Sequence, residues 1–375
     1  MNKIFLVSNT DWYLYRFRLS LGKDLLEYGM EPVFISPFGK YVEKIRAAGI
    51  RWLEWNVERR SYFPSQELIS VFRFMNLLRV EKPALIHNHT IKPVFYGSLS
   101  ARLVHFPNVV NSITGRGYLF LGNTLSLRIT RKIVIPVYRF VTDNPNYVTI
   151  FENQDDLGYF KSFGSFSHTH NVIIPGVGVD IHYYQPTPEP NEIPVIAYVG
   201  RLLWDKGVQT FVEAAKVLKQ KGIKVRMVLI GSTDPGNPTS IPEKIIHHWV
   251  QSGDVEWWGW QEEMPQVYKQ CNIIVIPSLG EGLSTTLLEA MASKRAVIAT
   301  DVPGCRDVIQ DKGTGILVPP NEPIAIADAI TKLINSPNLR YQFATAGRLL
   351  IEKLYTTQHI NQLTLQTYRE ILGRK

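Results

Sequence analysis

Residues 273–292 read I-I-V-I-P-S-L-G-E-G-L-S-T-T-L-L-E-A-M-A, and this stretch predicts how the chain around it folds. The apolar run 273–276 is typical of a buried strand, and the glycine-containing loop after it leads into a helical pattern. Ser284, Thr285 and Thr286 suit a helix start, because a hydroxyl accepts from a first-turn N–H group. Such a start has unpaired N–H groups and a positive dipole end, so the pattern predicts a phosphate site.

Two glutamates frame this predicted helix start. Glu281 is expected on the loop, and Glu289 a turn or more inside the helix. One carboxylate could then contact a sugar while the other accepts from the hydroxyls of a ribose. The alternative is a solvent-exposed helix start with two ordinary surface glutamates.

The E-G-L-S-T-T-L-L-E-A-M-A segment resembles the signature of retaining glycosyltransferases of family 4 with the GT-B fold. A second segment, G-R-L-L-W-D-K-G at 200–207, resembles that family's G-R-L-x-x-x-K-G. The order and separation of the two match, and the similarity covers nearly the whole chain. The resemblance extends to enzymes of lipid-linked oligosaccharide, O-antigen (lipopolysaccharide) and capsule synthesis. It implies an α/β fold in which two Rossmann-like doubly wound domains face a central cleft and the C-terminal helix crosses back.

Alternating strand and helix patterns with short joints agree with a doubly wound α/β architecture. We expect residues 1–185 to form an acceptor-binding Rossmann-like domain and residues 195–352 a donor-binding one. Residues 186–194 contain alternating prolines, which favour an extended linker and an interdomain hinge. Residues 353–375 are expected to form a helix that packs back toward the first domain.

The charge distribution suggests partners. Residues 1–185 hold 21 Lys+Arg and 14 Asp+Glu (+7), whereas residues 186–375 hold 20 and 19 (+1), which together give the net charge of +8. No nucleic-acid module accompanies the basic excess, so an anionic membrane surface or a phosphorylated lipid is the favoured partner over nucleic acid. An ordinary excess of solvated lysines is the alternative.

Several features bound the cellular setting. The 375 residues, 45% of them apolar, suit two globular domains. Cys271 and Cys305 are too few for a disulfide framework, and they suit a reducing compartment. The start resembles a first strand rather than a signal peptide, and no stretch is long and apolar enough to span a bilayer. The expected location is cytoplasmic, peripheral on the inner face of the plasma membrane.

The second domain is expected to bind a nucleotide-sugar donor. Arg201 and Lys206 could converge on the diphosphate, where Arg supplies a planar fork and Lys a point charge. Since the metal-binding pattern Asp-x-Asp is absent, we expect neither metal nor cofactor. Glu281, Arg201 and Lys206 are the predicted catalytic residues. The predicted donor contacts are Arg201, Lys206, Gly231, Glu281, Gly282, Leu283, Ser284, Thr285, Thr286 and Glu289.

The first domain is expected to bind the acceptor. Asp11 follows the first strand, and carboxyl ends of strands are where ligands bind in open α/β sheets. The resemblance suggests His89 and Lys92 at a later strand end, and Arg116 in a T-G-R-G-Y turn, as further acceptor contacts. His87 and His89 share one side of their strand and could instead hold a metal or be structural. Arg16 and Arg18 can each face the site, although a surface role is favoured for each.

Residues 118–141 combine many apolar residues with Arg128, Arg131, Lys132 and Arg139. An apolar face with a basic flank suits a helix lying in a membrane interface. An ordinary core helix with solvated charges fits equally well. Pro136 is expected to interrupt or end the helix.

Three functions are compatible with these patterns. The leading one is a retaining, metal-independent hexosyltransferase that uses a UDP-sugar and a lipid-linked or oligosaccharide acceptor. Because no second carboxylate poised as a nucleophile is evident, a front-face reaction is the hypothesis. The others are a UDP-sugar epimerase of the same architecture and a non-catalytic nucleotide-sugar-binding protein.

Overall fold

The computed structural model describes residues 2–57, 64–116, 120, 125–309 and 313–373. The contacts divide the chain into two compact units. The first comprises the chain up to Val177 together with the residues from Ile360, and the second is Gly178–His359. Each unit is an α/β structure built on one parallel sheet, as the sequence predicts for the fold class.

The first unit contains a seven-stranded parallel sheet in the order β3-β2-β1-β4-β5-β6-β7. Its central strands are short runs of Val, Ile, Leu and Phe that are buried on both faces, as parallel sheets covered by helices require. The strands are β1 (Lys3–Val7), β2 (Glu31–Ser36), β3 (Arg51–Glu54), β4 (Leu85–His89), β5 (Val109–Ile113), β6 (Val148–Phe151) and β7 (His170–Ile173).

The helices of the first unit are α1 (Asp11–Glu27), α2 (Val42–Ala47), α3 (Pro64–Glu81), α4 (Ile91–Leu103), α5 (Leu125–Thr142), α6 (Gln154–Lys161) and the C-terminal α13 (Thr357–Leu372). Helices α1, α2 and α13 share one apolar core, and α3 and α4 line a different one. Right-handed crossovers explain this, because strands added on opposite sides of β1 place their helices on opposite faces.

The second unit contains a six-stranded parallel sheet in the order β10-β9-β8-β11-β12-β13. Its strands are β8 (Val195–Val199), β9 (Arg226–Ile230), β10 (Glu256–Gly259), β11 (Ile273–Ile276), β12 (Ala296–Thr300) and β13 (Ile316–Val318). Its helices are α7 (Val208–Gln220), α8 (Glu243–Gln251), α9 (Met264–Lys269), α10 (Thr285–Ala292), α11 (Pro323–Asn335) and α12 (Pro337–Leu354). A short 3-10 helix, Trp204–Lys206, precedes α7.

The alternating strand and helix pattern that the sequence predicts is present in both units, but several helices were not predicted. Helices α4, α6, α8 and α9 were not predicted from the sequence, and the last three are short, with 8, 9 and 6 residues. The C-terminal helical stretch is divided at Tyr355 and Thr356 into α12 and α13.

The prediction for Pro136 was wrong, because α5 continues through it to Thr142. Pro136 lies on the exposed side of the helix. Of the stretch predicted to start this helix, residues 118, 119 and 121–124 lie outside the described residues, as does Gly117 of the predicted turn.

The proline-rich segment predicted as a linker has no regular secondary structure, but it packs within the second unit. The Arg295 guanidinium donates to the Thr187 carbonyl at 2.9 Å, and Arg340 pairs with Glu189 at 2.8 Å. Because these contacts bind the segment to α12 and the loop after α10, the units divide before it, at Val177 and Gly178.

Candidate functional site

Each sheet has one point where the strand order reverses, and polar loops meet there. The first unit's chain moves outward from β1 to β3 and then crosses to β4, so its switch point lies between β1 and β4. The second unit repeats this pattern between β8 and β11. Ligands of open α/β sheets bind outside the carboxyl ends of the strands at such points. The two switch points are therefore the candidate site regions.

At the second unit's switch point, Lys206 and Glu281 are brought together. Lys206 follows β8 and Glu281 follows β11, and the two strands pair directly. Lys206 Nζ lies 2.7 Å from Glu281 Oε2, and Ser278 Oγ donates to Glu281 Oε1 at 2.6 Å. Both charged side chains are largely buried but retain some exposure, so the pair is preorganised and still accessible to a ligand.

Close backbone approach fixes this geometry. Gly207 has φ +70°, and a Cβ there would lie 1.9 Å from the Pro277 carbonyl oxygen. Gly231 has φ +135°, and its Cβ would lie 1.9 Å from the Gly200 carbonyl oxygen. Only glycine fits either position, because no side chain can occupy those distances. The loops after β8, β9 and β11 are thus packed backbone against backbone.

Arg201 forms a different pair from Lys206. Its guanidinium donates to Asp234 Oδ2 at 2.9 Å, and Asp234 follows β9. Arg201 and Lys206 were predicted to converge on one group, whereas the structure pairs each with its own carboxylate. Arg201 is about half exposed, so it is the more accessible of the two cations.

The helix start after β11 has the expected local structure. Helix α10 begins at Thr285, and Ser284 Oγ accepts from the Leu287 N–H at 3.3 Å as its N-cap. Leu283 and Gly282 are buried beside it. The Thr286 hydroxyl donates to the Val199 carbonyl at 3.3 Å, which ties the helix start to the end of β8.

Glu289 lies in the second turn of α10. Its Oε2 accepts from the Tyr268 hydroxyl at 2.9 Å. Burial, together with the neighbouring Glu289 carboxylate, raises the pKa of Tyr268 well above its ordinary value. Tyr268 therefore stays a protonated donor that orients the Glu289 carboxylate.

At the first unit's switch point, the ends of β1 and β4 are joined by uncharged groups. Thr90 Oγ1 donates to Asn9 Oδ1 at 3.3 Å. Thr90 has φ 72° and ψ 163°, a conformation that is costly for a β-branched residue. Such strain costs about 1–3 kcal/mol and is concentrated at functional sites.

His89, which precedes Thr90, is fully buried. Neither ring nitrogen has a hydrogen-bond partner within the described residues. Its ring lies 3.9 Å from the His87 ring and 5.6 Å from the Tyr13 ring, measured between centroids. Burial first, then His87 and Arg18, hold the pKa of His89 well below its ordinary value, so it is neutral.

The surface role predicted for Arg18 was wrong. It is buried on α1, and it donates to the Tyr13 hydroxyl at 3.2 Å. Among the described residues no carboxylate forms an ion pair with it. The burial of Arg18 was not predicted, because arginine side chains are mostly exposed. In the structure Arg18 shares the buried face of α1 with Leu14 and Leu21.

The structure assigns His87 a packing role. Its Nδ1 contacts the Tyr368 hydroxyl at 2.5 Å, and its Nε2 contacts the Ser112 hydroxyl at 2.7 Å. Tyr368 belongs to α13, so this histidine helps to hold the C-terminal helix to the first unit. No group of three or more metal-ligating side chains occurs in the ranges that the structure covers.

The other predicted acceptor contacts each bind a partner within the first unit. Asp11 accepts from the Trp12 and Tyr41 backbone N–H groups at 2.9 and 2.7 Å, so both of its carboxylate oxygens are hydrogen-bonded to backbone. Lys92 pairs with Glu67 at 2.9 Å. Arg116 pairs at 2.7 Å with the buried Asp156.

The two cysteines are buried and free. Burial raises the pKa of Cys271 to about 12, so its thiol is inert. Cys271 packs in an apolar core of the second unit.

Sequence reasoning missed the groups that support the predicted ones. They are Asn9 and Thr90 in the first unit, and Asp234, Tyr268 and Ser278 in the second. Their sequence signal is a polar residue in the loop that follows an apolar strand run, which Asn9, Asp234 and Ser278 share.

Comparison with known proteins identifies family relationships for both units. Residues 3–149 match the model described as "Glycosyl transferase 4-like", and residues 193–336 match "Glycosyl transferases group 1". Together they cover most of the chain and both switch points.

Two curated relatives are similar over most of their length. The N,N'-diacetylbacillosaminyl-diphospho-undecaprenol alpha-1,3-N-acetylgalactosaminyltransferase of Campylobacter jejuni is 24% identical, over 91% of this chain and 92% of its own. The UDP-Gal:alpha-D-GlcNAc-diphosphoundecaprenol alpha-1,3-galactosyltransferase of Escherichia coli is 23% identical, over 80% and 78%.

Among solved structures, HepE of Anabaena in complex with UDP-glucose superposes with a TM-score of 0.80. The identity is 17%, and the match covers 99% of this chain and 100% of HepE. At that identity the likeness concerns the fold.

Proposed function

This chain belongs to the glycosyl transferases, with a 4-like domain followed by a group 1 domain, and we propose that it moves a sugar from a nucleotide-sugar to a lipid-linked glycan. The observation that carries the proposal is the contact between Lys206 and Glu281 at the switch point of the second unit. The donor is a UDP-hexose, the configuration at the reacting carbon is retained, and neither metal nor cofactor takes part.

The acceptor class is supported by the relatives. Both carry a diphospho-undecaprenol acceptor in their names, and one names UDP-Gal as donor. An acceptor of this kind keeps its lipid in a membrane, so the protein works as a peripheral membrane protein on the cytoplasmic side. The described residues contain no helix that is both long and apolar enough to span a bilayer.

Transfer requires stabilisation of the departing nucleoside diphosphate. The acceptor hydroxyl forms a bond to the anomeric carbon while the bond from that carbon to the donor phosphate breaks, and the hydroxyl proton passes to the departing phosphate. Negative charge spreads over the diphosphate in this step. Arg201 and Lys206 supply fixed positive charge, and the start of α10 supplies N–H donors.

The carboxylates have separate roles. Glu281, held by Lys206 and Ser278, accepts from hydroxyls of the transferred sugar. Glu289, oriented by Tyr268, accepts from the ribose hydroxyls. Both roles depend on rigid placement, which the short hydrogen bonds provide.

A transfer assay tests this function. The purified protein is incubated with UDP-hexoses and with a diphospho-polyprenol-linked sugar, and products are identified by mass spectrometry, with and without a chelator. We expect a lengthened glycan and UDP in equal amounts, with the same rate in both conditions. An isomerised UDP-sugar would indicate an epimerase instead, binding without turnover a non-catalytic protein, and chelator inhibition a metal requirement.

A further inference from the structure

Helix α5 has an apolar stripe on its outward face. Leu125, Ile129, Pro136 and Phe140 are exposed, and their spacings of four, seven and four residues place them on one side of the helix. The opposite side contains the buried Tyr138, which packs in the core of the first unit. The helix thus has an apolar inner face and a second, largely exposed apolar stripe, in which the Phe140 ring contacts the Arg102 guanidinium of α4 at 4.3 Å from the ring centroid.

Basic residues flank this stripe on one side only. Arg128, Lys132 and Arg139 each follow a stripe residue by three positions, so all three lie along the same edge, and all are exposed. Residues 125–142 contain four basic residues, including Arg131, and no acidic one. The outward face therefore combines apolar side chains with basic ones, and the helix itself contributes no acidic residue.

Helix α3 carries a second stripe of the same kind. Leu68, Ile69 and Phe72 are exposed on consecutive turns, and Arg73 and Arg79 are exposed on the same helix. Helix α4 packs against both α3 and α5, so the two stripes belong to one helix layer on one face of the sheet.

The position of the stripes links them to the switch point. Helices that follow parallel strands begin at the carboxyl edge of the sheet. Leu68 and Leu125 lie within the first two turns of helices that follow β3 and β5. The N-terminal ends of both stripes are therefore at the carboxyl edge of the sheet, where Thr90 contacts Asn9.

We propose that the outward faces of α3 and α5 form a docking surface for an anionic phospholipid bilayer. This deepens the proposed function, on which it rests, by naming the surface that brings the carboxyl edge of the first sheet to a membrane-held acceptor. Apolar side chains enter the headgroup boundary while arginine and lysine bind lipid phosphates, as in interfacial helices. The one-signed charge favours an anionic bilayer over a second copy of this chain, whose matching face would repel it.

Vesicle binding by the full chain tests this surface. Vesicles of phosphatidylcholine alone are compared with vesicles containing three parts phosphatidylglycerol to seven of phosphatidylcholine, by co-sedimentation in low and high salt. We expect binding to the anionic vesicles that weakens with salt. Arg128→Glu with Lys132→Glu should lower the partition coefficient ~30-fold or more, because each basic residue contributes a factor of about five. Ile129→Asp should lower it roughly tenfold.

Matched variants control for net charge and apolar exposure. Lys332→Glu with Lys353→Glu makes the same charge change on exposed lysines of α11 and α12. Ile324, on α11, is 58% exposed against 54% for Ile129, so Ile324→Asp is the apolar control. The control variants should bind vesicles like the unchanged protein. Equal binding by all variants, or no binding by the unchanged protein, would overturn the proposal.

Two further measurements separate the possible failures. Transfer to a short-chain, water-soluble acceptor without vesicles should be unchanged in the α5 variants, since the surface acts only through the membrane. Vesicle binding without any transfer activity would contradict the proposed function and leave the docking surface standing. Sedimentation velocity should give the same mass for all variants, whereas a dimer lost in the α5 variants would assign this face to a second copy.

Discussion

The switch points of the two units share one topology and differ in their chemistry. In the second unit, Lys206 meets Glu281 as a charged pair that keeps partial exposure. In the first unit, Thr90 contacts Asn9 beside His89, whose two ring nitrogens lack partners in the described structure. The same sheet geometry thus supports a preorganised charged site and a buried, strained, neutral one. Topology fixes where a site lies, and the loop residues fix what it can bind.

The largest effect is expected from removing the charged pair's cation. Lys206→Ala should lower kcat/KM for sugar transfer ~10²–10³-fold, since one electrostatic donor at a developing anion contributes that much. Steady-state assays with a UDP-sugar measure it. Lys221, which pairs with Asp328 at 2.6 Å, provides the control, because Lys221→Ala breaks a lysine–carboxylate pair between the C-cap of α7 and α11, outside the candidate site. Full activity in Lys206→Ala would mean that the pair is only structural.

The next largest effect is expected from disturbing the backbone packing beside the charged pair. Gly207→Ala should lower the free energy of unfolding by ~3 kcal/mol, because it combines positive φ with a clash against Pro277. Gly222 has φ +68° with nothing within 4 Å, so Gly222→Ala isolates the conformational cost of ~1 kcal/mol. Hydrogen exchange of second-unit amides measures both. Equal losses would show that the close approach relaxes at no cost.

The buried neutral site should make the first unit sensitive to acid. The unfolded chain protonates His89 near its ordinary pKa of 6.5, whereas burial keeps the folded form neutral well below it. The unfolded state therefore binds more protons as pH falls below about 6.5, and stability decreases by up to ~1.4 kcal/mol per pH unit for this group.

Substitution separates His89 from other groups that titrate. His89→Leu should flatten the decrease in stability between pH 6.5 and lower values, as measured by denaturant unfolding of the first unit. His170, exposed on β7, provides the matched control, because His170→Leu removes an imidazole that is not buried. An unaltered profile in His89→Leu would show that this histidine does not set the acid limit.

The smallest effect on stability is expected at Arg201. Its pair with Asp234 is about half exposed on the arginine side, so Arg201→Ala should change the free energy of unfolding by under ~1 kcal/mol. Transfer should nevertheless fall, because Arg201 is proposed to bind the diphosphate. Thermal unfolding and transfer rates of one preparation separate the two effects. A large loss of stability with normal transfer would reverse the assignment.

Local patterns were sufficient for much of the second unit. The apolar run before Pro277 predicted β11, and Ser284 predicted the cap of α10, because both depend on neighbouring residues. The roles assigned to Lys206 and Glu281 came from the resemblance and remain predictions. Their mutual contact, and the partners Asp234 and Ser278, could not be read from the sequence, since they join loops after different strands.

The first unit was less predictable. A helix periodicity does not tell which face a charged residue occupies, so the buried position of Arg18 was missed. Strain at Thr90 has no sequence signature, because the residue is neither glycine nor asparagine. Pro136 was expected to interrupt or end α5, yet the helix continues through it to Thr142.

The sequence by itself determined the α/β class, the two parallel sheets and the residues that follow each strand, because strand burial and helix starts are set within short stretches of chain. Only the tertiary structure decided which of those residues meet. Strand order places the ends of β8 and β11, and of β1 and β4, side by side, and that order depends on long-range packing of apolar faces that many different sequences satisfy.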